Sequence, residues 1–264
     1  TMIRRLVEHP RFGDFDLSSI DLLSYGAAPI DAPLLEKAMA SLPGARFAQA
    51  YGMTELSPTV AVLGPDEHQP GPNQAKWLRA AGRPVPIAEI RIVDADGQDC
   101  PTGTVGEICA RGPMVMLGYW NKPQETAAAL QGGWMHTGDG GRMDEDGYLY
   151  VVDRIKDMII SGGENVYSAE VENALAQHPA VALCAVIGVP DERWGERVHA
   201  VVVKRDGHDV DEAALVAHCK ALIAGYKCPR SVEFRATLPV TAAGKLQKNA
   251  LREPYWEGHA RRVN

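Results

Sequence analysis

The sequence predicts a two-part chain of α/β and α+β class: an α/β layer with a small β-subdomain, followed by a compact α+β unit. Three observations lead there. A strand, a loop, a helix and a second strand open the chain. From Gly82 to Val152 the texture changes to short strand candidates between Gly, Pro and Asp turns. From Arg154 onward the order becomes strand, helix, strand, strand, helix, strand.

Taken in order, residues 20–24 suit a short strand that ends in the small-residue loop Gly26-Ala27-Ala28-Pro29. Residues 31–41 predict a helix, with Asp31 as its cap and Leu34, Leu35, Ala38 and Met39 on one face. Residues 46–50 suit a second strand, ending at Tyr51-Gly52. Two strand-then-loop units around a helix place their loops where α/β layers meet ligands. Within the β-subdomain, about 82–152, strands are expected at 89–93, 106–111 and 148–152, with a helix at 123–130. Beyond it, helices are expected at 168–177 (Ser168 capping, Val171 and Leu175 inward) and 211–224, and strands at 181–188, 198–204 and 232–235. The boundary falls near Asp153, dividing the chain into 1–152 and 153–264.

Composition narrows the class. Of 264 residues, 45% are hydrophobic and 23% charged, the balance of a folded globular chain with a substantial core. A net charge of -7 without a long basic run excludes an electrostatic case for nucleic acid. The five cysteines contain no Cys-x-x-Cys pair, which argues against a zinc site or disulfide framework and suits a reducing cytoplasm. No apolar stretch approaches a membrane span, and Arg4, Arg5, Glu8 and His9 interrupt any signal-peptide core. The oligomeric state stays open, a homo-oligomer included.

The common nucleotide and hydrolase signatures are absent. Gly244-Lys245 is no Walker loop, because Pro239 stands at the first glycine position and Leu246 replaces the hydroxyl residue. No Gly-x-Gly-x-x-Gly, His-Glu-x-x-His or Gly-x-Ser-x-Gly occurs. Instead, Tyr51-Gly52-Met53-Thr54-Glu55 sets an aromatic ring, an approachable backbone, a hydroxyl and a carboxylate side by side. A purine can stack on the Tyr, the Thr can donate to a phosphate oxygen, and the Glu can hold Mg²⁺ against it. Thr137-Gly138-Asp139, expected just before a strand, can offer a carboxylate to a ribose diol. The run from Asp153 to Glu172 and the loop from Pro239 to Lys245 complete the set.

These segments, in this order, resemble the adenylate-forming superfamily of acyl-CoA synthetases, non-ribosomal adenylation domains and beetle luciferases, across essentially the whole chain. The resemblance is strongest to acyl-CoA synthetases acting on fatty or aryl acids. It implies the end of a large AMP-binding domain followed by a small, mobile C-terminal domain. It also implies that Gly26, Ala27, Ala28 and Pro29, with Ala50, Tyr51, Gly52 and Met53, line an ATP/AMP site. Thr54 then meets the α-phosphate, Glu55 binds Mg²⁺, and Asp139 and Arg154 meet the ribose, with Lys156 nearby in the same motif. Lys245 matches the lysine that bridges carboxylate and α-phosphate, where a cation offsets the repulsion between two anions. Asp153 matches the hinge, and Gly162, Gly163, Glu164 and Asn165 line the CoA pantetheine path. Trp194, Lys227 and Arg230 are candidate anchors for the CoA nucleotide.

The family's phosphate loop is expected upstream of position 1, so a missing upstream half of the same enzyme is an expected partner, beside a small carboxylic acid substrate. Gly26, Ala27, Val60, Ala61 and Val62 allow an aliphatic or aryl acid tail. The competing readings are a non-catalytic AMP-binding remnant or interaction module, and the adenylation half of another superfamily member.

Overall fold

The computed structural model describes residues 2–27, 30, 32–241 and 246–258, in two compact units, Thr1–Val151 and Val152–Asn264. Expectations that rest on Asp31, Ala28, Pro29 and Lys245 fall outside the described residues.

The first unit begins with α1 (Met2–Val7), β1 (Leu22–Gly26), α2 (Ala32–Ser41), β2 (Arg46–Tyr51), β3 (Ala61–Leu63), α3 (Gln74–Trp77) and β4 (Arg83–Pro84). The strands form a sheet in the order β1-β2-β3-β4. β1 and β2 run parallel, Leu22 opposite Arg46 and Gly26 opposite Ala50, so their carboxyl ends finish side by side. Helix α2 makes the crossover; Pro33 sits in its first turn, where the missing N–H costs nothing. Its Leu34, Leu35 and Ala38 are buried with Val7, Tyr25 and Phe47, which ties the helix to both strands. The first strand lies two residues later than its hydrophobic run suggested, because the parallel register carries it through to Gly26.

The second sheet uses β5 (Glu89–Val93), β6 (Gly106–Arg111), β7 (Leu130–Gln131), β8 (Trp134–Met143) and β9 (Leu149–Arg154), with α4 (Pro123–Ala129) leading into β7. Its order is β5-β6-β8-β7, and β9 pairs with β8. Thr137-Gly138-Asp139 does not precede a strand, as expected, but lies inside β8. The glycines hide that strand from pattern reading, since Gly is depleted in strands. The sheet accommodates them with a bulge: Glu107 pairs with Gly140 and Cys109 with His136, leaving three residues opposite Ile108. Gly138 takes a φ of 69° there.

The second unit contains β10 (Ile159–Ser161), β11 (Glu164–Val166), α5 (Ser168–Ala176), β12 (Val181–Asp191), β13 (Gly195–Lys204), α6 (Glu212–Leu222), β14 (Ser231–Phe234) and α7 (Lys248–Trp256). The sheet order is β11-β10-β13-β12, with β14 parallel to β13. Both faces are covered. Val186, Val198, Ala200 and Val202 pack with Val171 and Leu175 of α5 and Leu215 of α6. The alternating partners Ala185, Ile187, Val189 and Val201 pack with Leu251 of α7. Each fully buried Val, Leu or Ile side chain among these contributes about 1.5–3 kcal/mol.

Helix α5 starts where expected, but Ser168 is not its cap. The preceding Tyr167 holds the cap position without a side-chain bond, and Ser168 Oγ donates to Asp153 Oδ2 at 2.5 Å. The same oxygen accepts the Ala169 N–H at 3.2 Å. A carboxylate from before the helix thus does the capping, where the positive end of the helix dipole favours it over a neutral hydroxyl. In α6 the residue before the helix does cap it: the Asp211 side chain accepts the Ala214 N–H.

Candidate active site

The described candidates divide between the two units. In the first, the loop after β1 and the segment after β2 emerge next to one another. A Cβ on Gly26 would stand 2.2 Å from the Ala50 carbonyl oxygen, and one on Gly52 would stand 1.9 Å from that of Pro58. Only glycine permits these approaches. Ala27 (φ 64°) and Ser57 (φ 52°) hold left-handed backbone beside the two segments, a strain that concentrates at ligand sites. Beneath the first loop, the Tyr25 hydroxyl meets His68 Nε2 at 2.9 Å, and His68 Nδ1 meets the Gly64 carbonyl at 2.7 Å. Burial lowers the His68 pKa and keeps the ring neutral, so Nδ1 carries the proton and Nε2 accepts from Tyr25.

The Tyr51–Glu55 segment ends in a single 3-10 turn, Thr54–Leu56, anchored by the fully buried Leu56 and by the Met116 N–H donating to the Glu55 carbonyl. Thr54 is exposed. Tyr51, whose ring is expected to stack on a purine, also makes a tertiary contact: its hydroxyl donates to Asp139 Oδ2 at 2.9 Å, joining two segments 88 residues apart. Glu55 Oε1 accepts the Tyr119 hydroxyl at 2.9 Å. Pattern reading missed Tyr119, because nothing in its local spacing points to a partner 64 residues earlier.

Asp139 is 7% exposed and is aimed by the β8 bulge. Glu107 braces that bulge, accepting the Gly138 N–H on Oε1 at 3.0 Å and meeting His136 Nδ1 through Oε2 at 2.7 Å. Glu107, Cys109 and His136 also form the one group of metal-type donors found among the described residues. Burial pushes the Cys109 thiol up to about 12, and the Arg91 guanidinium beside it opposes a second cation. This cluster therefore serves as a brace. Val60 and Ala61, expected near an acid tail, are fully buried core residues.

In the second unit the candidates sit on turns and at strand ends. Arg154, Lys156, Gly162, Gly163, Glu164 and Asn165 are exposed. Gly162 (φ 65°) and Gly163 (φ 87°) form the two-residue turn between Ser161 and its partner Glu164, a hairpin geometry that needs positive φ at both positions. A Cβ on Gly162 would lie 2.6 Å from the Trp194 ring. That ring stacks against the Arg230 guanidinium at 4.5 Å and against Arg193 at 4.6 Å. Lys227 is not gathered with them by any such contact; its ammonium grips both Glu170 oxygens, at 2.8 and 2.7 Å.

The fold and this arrangement define a class. The family model for AMP-binding enzymes matches residues 1–120, and that for the AMP-binding enzyme C-terminal domain matches residues 170–245. The chain belongs to this adenylate-forming family, on the side of the acyl-CoA synthetases. It is 46% identical over 255 residues to a feruloyl-CoA synthase of Amycolatopsis sp, covering 97% of this chain and 50% of that protein. It is 42% identical over 270 residues to a medium/long-chain-fatty-acid–CoA ligase of Mycobacterium tuberculosis, covering 100% and 46%. Among solved structures it resembles the amide bond synthetase McbA from Marinactinospora thermotolerans, with a TM-score of 0.87, 42% identity, and coverage of 96% of this chain and 50% of that one. It also resembles o-succinylbenzoate CoA synthetase from Bacillus subtilis in complex with its acyl-adenylate intermediate, with a TM-score of 0.83, 38% identity, and coverage of 100% and 50%. The chain spans about half the length of the curated relatives it matches.

Proposed function

We propose that this chain is the carboxyl-terminal part of an ATP-dependent acid–CoA ligase. The observation that carries this reading is the Tyr51–Asp139 bond, which fastens the expected phosphate-binding segment to the expected ribose-binding carboxylate within one unit. The reaction has two steps. A substrate carboxylate attacks the α-phosphorus of ATP and pyrophosphate leaves; the CoA sulfur then attacks the acyl carbonyl and AMP leaves.

Asp139 accepts a ribose hydroxyl and fixes the sugar, while Thr54 donates its hydroxyl to an α-phosphate oxygen. Arg154 and Lys156 add positive charge from the hinge motif. Lys245 places an ammonium between the attacking carboxylate and the phosphate. Mg²⁺, when bound, offsets phosphate charge as a Lewis acid. A single carboxylate suits that ion, which keeps several waters and takes its other ligands from phosphates. Glu55 retains acceptor capacity beyond the Tyr119 bond, so it fits. Gly162, Gly163, Glu164 and Asn165 offer an exposed turn for the pantetheine arm, and Asp153 is the hinge that alternates the two faces. The upstream half of the enzyme supplies the phosphate loop and most of the acid pocket.

No described helix is long and apolar enough to cross a membrane. All five cysteines are free thiols, which supports a cytoplasmic setting.

A second reading concerns the acceptor. The likeness to an amide bond synthetase supports an amine in place of the CoA thiol, after the same adenylation step. The test is mass spectrometry on the enzyme joined to its upstream half, given ATP, Mg²⁺, a pool of carboxylic acids, CoA and a pool of amines. Equal yields of AMP and acyl-CoA are expected. Amide products without acyl-CoA would favour the second reading, and no AMP at all would refute both.

A further inference from the structure

Helix α7 has an apolar and a polar side. Leu251 is fully buried against the sheet, and Trp256 Nε1 donates to the Gly188 carbonyl at 3.0 Å, which fastens the apolar side of the helix. Its polar side does something else. Lys248 and Arg252 lie one turn apart, on the same face of the helix. Lys248 Nζ donates to Ser168 Oγ at 2.6 Å and pairs with Glu172 Oε1 at 2.7 Å. Ser168 Oγ passes the contact on, donating to Asp153 Oδ2 at 2.5 Å. Arg252 Nη2 pairs with Asp157 Oδ1 at 2.5 Å, and its Nη1 donates to the Lys156 carbonyl at 3.0 Å. Both ends of the segment 153–157 are therefore held by one helix face.

These are not surface pairs of little consequence. The Lys248 and Glu172 side chains are only 13% and 20% exposed, and those of Arg252 and Asp157 12% and 14%. Burial works to lower the Lys248 pKa, but the Glu172 and Asp153 carboxylates outweigh it and raise the value, so the ammonium stays charged. Glu172 is fixed in turn, since its Oε1 accepts the Val186 N–H of β12 at 2.8 Å. The base of the Lys245 loop is also closed. Val240 bridges to Leu246, and the Gln247 N–H donates to the Pro239 carbonyl at 3.0 Å. Lys248 follows immediately, three residues past Lys245.

We propose that Lys248 and Arg252 are positioning residues that clamp the hinge segment 153–157 to the helix following the Lys245 loop, with Ser168 as the link to Asp153. Hinge and loop base then move as one body. A turn at the hinge is delivered to the base of the lysine loop without slack. This rests on reading Asp153 as the hinge and Lys245 as the adenylating lysine.

The test uses this chain without substrate: amide hydrogen exchange in Ser168→Ala and Arg252→Met, against the parent. Each variant should speed exchange at Met158, beside the hinge, and at Gln247 and Leu251, at the loop base, by about tenfold together. The amides of Val186 and Val201 in the central strands should keep their rates. Acceleration confined to one of the two segments, or shared equally by the central strands, overturns the clamp. The hinge reading fails separately, if Asp153→Pro leaves overall turnover of the joined enzyme unchanged.

Discussion

The two units prepare their candidate residues in opposite ways. In the first, the candidate side chains are themselves held: Asp139 by Tyr51 and the bulge, Glu55 by Tyr119. In the second, the candidates other than Asp153 are exposed residues of turns and strand ends, and buried polar contacts lie elsewhere, in the Asp153–Ser168–Lys248–Glu172 chain and the Arg252–Asp157 pair. The difference suits a division of labour. A pocket that must recognise a nucleotide gains from fixed side chains, whereas a domain that presents different faces in turn gains from a rigid frame with open loops.

The sharpest way to break this comparison is Lys245→Ala in the enzyme joined to its upstream half. Adenylation, followed by pyrophosphate release, should fall by about 10²–10³. Conversion of a supplied acyl-adenylate to the thioester should continue, because the proposed function assigns that step to the glycine turn and not to this lysine. Equal loss in both half-reactions would remove the division of labour.

A smaller effect should follow Gly162→Val. A β-branched residue at a φ of 65° is strained, and its side chain would run into the Trp194 ring. Thermal unfolding should show the second unit destabilised by about 1–3 kcal/mol, while AMP binding by the first unit is retained. A melting profile identical to the parent's would show that the hairpin does not require glycine there.

The smallest effect lies in the acid limb of stability. Hydrogen bonds from Arg235 and Tyr255 hold the Glu233 carboxyl down to about 2, against 4.5 when free. The folded chain therefore binds that proton more weakly than the unfolded chain. The stabilisation is complete above pH 4.5 and is lost as pH falls towards 2. Because the Glu233 side chain is 35% exposed, solvent screening limits the contribution to about 1 kcal/mol or less. Denaturant melts of Glu233→Gln between these pH values should show a flatter decline than the parent; parallel curves would reject the assignment.

Much of this architecture was legible because local pattern and tertiary role coincide. The α2 stripe of Leu34, Leu35 and Ala38 faces the core, and the strands at Glu89–Val93 and Gly106–Arg111 fall where their apolar runs end at turn residues. Reading failed where a tertiary partner overrides a local rule. Ser168 looks like a cap until the Asp153 carboxylate takes that place. The glycines around Asp139 look like a turn until Glu107 braces them as a bulge. Tyr119 carries no local mark of its bond to Glu55, and Val60 and Ala61 look like pocket residues until the core closes over them. Ordered motifs located the candidate segments, but they do not reveal which side chains hold them in place.

The central claim is that the first unit carries a nucleotide half-site built on Asp139 and Tyr51. Titration calorimetry of this chain with AMP, for the parent and for Asp139→Ala, tests it most directly. Saturable binding in the parent, weakened at least about tenfold in the variant by loss of the ribose contact, is the predicted result. Equal affinity in the two proteins, or no binding by the parent, would contradict it.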